Sequence, residues 1–239
     1  MPQYVELTDS AAVAAAAATR TVDALRRAIA AHGRATWVLA GGSSPAAAYR
    51  IIAAEHAGAV DWSRVSVVMG DERMVPHDHA DSNWGQLIPL LTADDRVRAI
   101  RELAPDTSLA PAAAAAAYTE RIVQDGEPVH FDVIWLGVGE DGHTLSLFPD
   151  QEHIWNAPAL VTSVDRSPKP PAERITLTLT ALDHAGEVLV FATGAGKRDA
   201  LDRARAHGDL PIAVASARAE AAGAHVTWLY DDAARAQPR

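Results

Sequence analysis

The chain has 239 residues, 49% of them hydrophobic and 22% charged, with a formal net charge of -10 and no cysteine. That length suits one sizeable core, and a single domain spanning 1–239 is expected. Zero cysteines exclude disulfides, thiolate nucleophiles and cysteine-ligated zinc, and the acidic balance disfavours nucleic acid, so an anionic ligand would need cations gathered locally. With no run of eighteen apolar residues and no export signal in MPQYVELTDS, a cytoplasmic protein with no membrane partner is expected.

In chain order, the alanine-rich stretch Ala14–Ala31 reads as helix, because alanine is the best helix former and His32-Gly33 supplies a stop. TWVLA (36–40) reads as a strand, followed by GGSSP and a helix over 45–56. In that loop Gly41 and Gly42 allow a tight turn, Ser43 and Ser44 offer hydroxyls, Ser44 can cap, and Pro45 suits the first helical position. Such a helix start can seat a phosphate, although an ordinary tight connection reads equally well.

VSVVM (65–69) is the next strand, and GDERMVPHDHADSN follows it. Asp71, Glu72 and Arg73 at a strand end are expected in a cleft rather than the core, because three buried charges are expensive. His77, Asp78, His79 and Asp81 could pass for a metal site. Their spacing lacks the helical His-x-x-x-His arrangement, so a polar loop ending in Ser82 or Asn83 as cap of a helix over 84–91 is preferred, with no metal expected.

A helix over 111–124 leads to the strand DVIWLGV (132–138) and then to GVGEDGHTLSLFPD. The glycines let the backbone approach a ligand, Asp141 can orient His143, and an imidazole changes charge in the range where enzymes work. A structural histidine capping the turn is the alternative. ALVTSV (159–164), RITLTLT (174–180), EVLVFAT (187–193) and HVTWLY (225–230) complete the strands, with a helix over 196–206 between the last two. RITLTLT alternates polar and apolar residues, which suggests an edge strand or an antiparallel member of a mixed sheet. Arg174 opens it, and Lys197 lies in TGAGKRDAL; either could be a plain solvated charge, or both could meet an anion. Near-continuous apolar strands alternating with helices give an α/β class: a mainly parallel sheet with helices on both faces, and ligands outside the strand carboxyl ends.

Together, LAGGSSP, GDERMVPHDHADSN, GVGEDGHTLSLFP, RITLTLTAL, TGAGKRDAL, LPIAVASA and HVTWLYDDAA resemble the 6-phosphogluconolactonases, in family order from about Leu39 to Ala234. Ser44 stands where that family often has Thr, and Leu145 where it often has Ala. The resemblance implies a modified Rossmann-like open sheet, shared with glucosamine-6-phosphate deaminase. It also implies hydrolysis of 6-phospho-D-glucono-1,5-lactone without a cofactor or metal, a step of the oxidative pentose phosphate pathway. The small sugar-phosphate lactone is the expected partner, and a monomer or weak homodimer the expected assembly. On this reading His143, Asp141, Arg73 and Asp71 form the catalytic set, while Gly41, Gly42, Ser43, Ser44, Arg174 and Lys197 hold the phosphate. Alternatives are an amino-sugar phosphate deaminase or isomerase with Asp71 as base, and a non-catalytic sugar-phosphate sensor. A serine nucleophile is disfavoured, since Ser146 lacks a G-x-S-x-G elbow.

Overall fold

The computed structural model describes residues 1–123 and 129–235. Seven strands form one parallel sheet: β1 (Gln3–Leu7), β2 (Ala35–Leu39), β3 (Val65–Met69), β5 (Arg101–Leu103), β6 (Phe131–Gly137), β9 (Ala185–Ala192) and β10 (His225–Asp231). Three more, β4 (Asp71–Arg73), β7 (Val161–Val164) and β8 (Arg174–Leu177), form a separate antiparallel sheet. The helices are α1 (Ser10–His32), α2 (Ser43–Glu55), α3 (Asn83–Leu91), α4 (Pro111–Ile122), the single-turn α5 (Glu152–Trp155), α6 (Arg198–His207) and α7 (Pro211–Ala221).

Alternation along the strands divides the apolar residues between two cores, because successive side chains point to opposite faces. Trp37, Val67, Trp135 and Phe191 face α1 to α3, whereas Val38, Val68, Ile134 and Val190 face α4 and α7. The first face is aromatic. Trp135 lies 4.8 Å from both Trp37 and Tyr49 by ring centroids and donates its Nε1–H to Thr21 Oγ1 at 2.8 Å. Fully burying a side chain of this kind contributes roughly 1.5–3 kcal/mol. Helix α1 begins where Asp9 accepts the N–H of Ala12 and ends where Gly33 N–H donates to Ile29 O. Its small buried residues, Ala14, Ala17, Ala18 and Ala28, let it lie close to the sheet.

The main sheet runs β1-β10-β9-β6-β2-β3-β5. From the adjacent pair β2 and β6 the chain winds outward in opposite directions, through β3 and β5 on one side and through β9 and β10 on the other. The loops leaving β2 and β6 therefore diverge and open a crevice at the carboxyl ends, where open α/β sheets bind ligands. RITLTLT is antiparallel, as its alternation suggested, but it is the central strand of the small sheet and ends at Leu177, after which a 3-10 turn takes over. Strands β1, β4 and β5 and helices α5 and α7 were not anticipated; the three strands span five residues or fewer. Of the helix expected over 111–124, Gln124 lies outside the described residues.

Candidate active site

A cleft of about 430 Å³ opens at this crevice. It draws on five segments that are far apart in sequence. After β2 come Ala40 to Gly42; around β4 come Asp71, Arg73 and Asn83; after β6 come Val138 to Glu140, His143 and Leu145; Lys169, Arg174 and Lys197 close it. Four cations thus share one cleft in a chain of net charge -10.

The β6 loop is shaped around the histidine. Gly139 N–H donates to His143 O at 2.8 Å, and a Cβ on Gly139 would overlap both His143 Nδ1 and Asp141 Oδ1, so any side chain there would push the pair out of place. Asp141 Oδ1 lies 2.5 Å from His143 Nδ1. An ionised carboxylate only accepts, so the ring proton sits on Nδ1, and Nε2 of the neutral imidazole carries the lone pair. Nε2 has no hydrogen-bond partner among the described residues. The ring is sheltered, its side chain 18% exposed, and packs 4.7 Å from Phe148. Burial works to raise the Asp141 carboxyl, but the hydrogen bond from His143, the charge that ring carries once protonated, and Lys169 Nζ at 3.7 Å outweigh it and hold Asp141 well below the usual carboxylate range. Asp141 stands behind His143 rather than in the cleft lining.

On the opposite wall, strand alternation separates the DER triplet. Asp71 and Arg73 face the cleft, whereas Glu72 points into the interior, contrary to the expectation that all three charges occupy the cleft. Its carboxylate accepts N–H groups from Arg73, Asn83 and Trp84 and the Ser82 hydroxyl, so it anchors the start of α3. Burial still pushes its carboxyl up, against those hydrogen bonds. Ser82 caps α3 as anticipated, accepting from Gly85 N–H. Asp71 Oδ2 accepts the hydroxyl of the fully buried Ser146 at 2.6 Å. Arg73 donates to Asp81 O at 2.6 Å and stands directly opposite Arg174 across the β4–β8 pair. Facing like charges repel, and the cleft becomes attractive to an anion.

The two expected phosphate cations differ in their surroundings. Lys197, in a 3-10 turn just before α6, is half-buried; burial lowers its ammonium, the nearby Glu140 raises it, and Lys169 lowers it further. Arg174 is only 4% exposed, and carbonyls of residues 169–171 take three of its five N–H groups. Gly41 and Gly42 line the cleft, but Ser43 is exposed outside the lining and the Ser44 hydroxyl pairs with Thr193 Oγ1. Helix α2 starts at Ser43 with Gly42 as its cap, so Pro45 is its third residue rather than its first, and Ser44 does not cap it.

Lys169 and Glu140 escaped sequence reasoning. The lysine lay hidden in the proline-rich SPKPP, and the glutamate stood in plain sight between Gly139 and Asp141. Among the described residues, no helix is long and apolar enough to cross a membrane.

Comparison with known proteins bears on this cleft. The family model described as glucosamine-6-phosphate isomerases/6-phosphogluconolactonase matches residues 8–228. The chain belongs to this family. The 6-phosphogluconolactonase of Mycobacterium tuberculosis is 38% identical over 240 residues, covering 96% of each chain. That of Mycobacterium leprae is 37% identical over 258 residues, covering 99% of each. A crystal structure of a 6-phosphogluconolactonase from Shewanella baltica superposes with a TM-score of 0.82 at 26% identity, covering 97% of this chain and 98% of that one. All three relatives carry the lactonase name, and the lactonase branch of the isomerase/lactonase family is where this chain sits.

Proposed function

We propose that the protein hydrolyses 6-phospho-D-glucono-1,5-lactone to 6-phospho-D-gluconate, with His143 as general base toward water. The observation that carries this reading is the pairing of His143 Nδ1 with Asp141 in a cleft that also holds four cations. Asp141 fixes the tautomer that leaves Nε2 as acceptor, so a water between Nε2 and the lactone carbonyl can pass its proton to the ring as it attacks. Assistance of this kind accelerates a reaction about 10²- to 10⁴-fold. The lactone phosphate is assigned to Lys197, Lys169 and the N–H groups at Gly41 and Gly42. These two residues lead into a helix start that no side chain caps, which favours an anion there. Arg174, expected to share this work, has one N–H left to offer. Arg73, on the far wall, is positioned to steady the carbonyl oxygen as it gains charge. No step calls for a metal or cofactor. The working form is taken to be a cytoplasmic monomer or weak homodimer.

The test is acid release from freshly prepared phosphogluconolactone against the spontaneous background. Wild type should exceed the background, and His143→Ala should lose turnover while keeping its circular dichroism spectrum. Full activity in the variant removes His143 as the base. Ammonia release from glucosamine 6-phosphate would replace the lactonase reading with the deaminase one.

A further inference from the structure

Arg174 sits at the centre of a buried network that reaches His143 by three routes. Its guanidinium donates through Nε to Pro171 O at 3.0 Å, through Nη2 to Lys169 O at 2.9 Å and Pro170 O at 3.1 Å, and through Nη1 to Ser146 Oγ at 3.4 Å. Four of the five donors of a guanidinium are thereby engaged inside the protein. Burial lowers the guanidinium, Asp71 opposes this, and the facing Arg73 adds to it. A group so placed is held for its geometry, because its charge alone would be better solvated at the surface.

The first route runs through the backbone of Lys169, whose Nζ lies 3.7 Å from Asp141, the carboxylate that orients His143. The second runs through Phe148, whose ring centre is 5.6 Å from the Arg174 guanidinium carbon and 4.7 Å from the His143 ring. The third runs through Ser146, which donates to Asp71 and receives from Arg174. Between His143 and Ser146 the chain makes a tight turn closed by Leu147 N–H to Thr144 O, with Leu145 at φ 53. A leucine in the left-handed region costs of order 1–3 kcal/mol and persists only where its surroundings hold it. Ser146, fully buried next to Leu145, is the anchor on that side.

We propose that Arg174 and Ser146 are positioning residues for the Asp141–His143 pair, Arg174 acting as an internal tie between two loops rather than as a ligand of the substrate phosphate. This rests on the lactonase reading only for the catalytic consequence, since the tie itself is independent of substrate. A lysine in place of Arg174 keeps the charge but not the planar fork that reaches three carbonyls at once.

The experiment compares Arg174→Lys, Ser146→Ala and Lys197→Ala. It measures kcat, KM, inhibition by 6-phosphogluconate, and the ¹⁵N chemical shifts of the His143 ring at fixed pH. Arg174→Lys and Ser146→Ala should each lower kcat by at least about tenfold, as expected of a catalytic group displaced by a fraction of an ångström. For Ser146→Ala, KM and product inhibition should stay within about threefold, because no group assigned to substrate binding is released, and in both variants the His143 ¹⁵N shifts should move. Lys197→Ala should do the reverse, weakening inhibition while leaving those shifts in place. Arg174→Lys with kcat intact and inhibition at least about tenfold weaker would overturn the assignment and return Arg174 to the phosphate site. If Arg174→Lys does not fold, Ser146→Ala decides alone: unchanged kcat and unchanged ¹⁵N shifts refute the tie. Should wild type show no lactonase activity, the functional reading fails, and the ¹⁵N shifts still decide the role of Arg174.

Discussion

Two glycine-rich loops leave neighbouring strands at the same edge of the sheet, and they use glycine for opposite ends. In the loop after β2, Gly42 takes φ 108 and ψ 170, and the turn into α2 lines the cleft with the bare backbone of Gly41 and Gly42. In the loop after β6, Gly139 gives up a side chain so that two others, those of Asp141 and His143, can meet above it. One loop presents main-chain donors and keeps side chains out of the way. The other is a mount for side chains, tied through Phe148 and Ser146 to the small sheet. On the proposed function, the same residue type therefore serves a binding surface in one place and a catalytic fixture in the other.

This contrast can be broken experimentally. The largest effect after loss of His143 itself is expected from Gly139→Ala, whose methyl would displace the His143–Asp141 pair. Turnover should fall about a hundredfold with little change in KM, and a rate near wild type in steady-state kinetics would mean that the loop relaxes freely. Lys197→Ala sharpens the other side. Removing one charge-assisted contact of about 1.5–3 kcal/mol should raise KM tenfold or more, by order of magnitude, at nearly constant kcat. Gly42→Ala forces a side chain into a backbone region that is essentially reserved for glycine, so thermal unfolding should reveal a destabilisation of about 1–3 kcal/mol and KM should rise severalfold. The smallest effect concerns acid stability. The Asp141 carboxyl is depressed in the folded protein, so its stabilisation is fully present above the unfolded carboxylate range, near pH 3.9, and is lost as pH falls through the lower folded value. Wild type should therefore lose more stability than Asp141→Asn between about pH 5 and pH 2. Parallel melting curves for the two proteins across that range would contradict it.

Much of the architecture could be read from residue patterns, because Trp37 to Leu39, Val67 to Met69 and Val133 to Leu136 are buried on both faces and show it as unbroken apolar runs. The short strands could not. Asp71-Glu72-Arg73 is a strand made of three charged residues, and it pairs only because Asp71 meets Ser146 and Glu72 meets the start of α3. Arg101-Glu102-Leu103 at the sheet edge is equally silent. For the site, His143 with Asp141 was legible because they lie two residues apart, within reach of any turn. Lys169 was not, since its relation to Asp141 depends on how Arg174 folds back the proline-rich loop just before it. Arg174 was visible as a cation at a strand start, but whether its donors face outward or inward is decided by carbonyls of residues 169–171, and carbonyls leave no mark in a sequence.

The divergence of the chain from β2 and β6 has a consequence for assembly. Residues 40–42 follow a strand of the half of the main sheet built outward in one direction, residues 138–145 and Lys197 follow strands of the half built in the other, and residues 71–73 belong to the small sheet. None of these parts lines the cleft alone, so on the lactonase reading a phosphorylated sugar acid bound there would touch all of them at once. Saturating 6-phosphogluconate should therefore stabilise the joined parts together, raising the unfolding temperature of the whole chain.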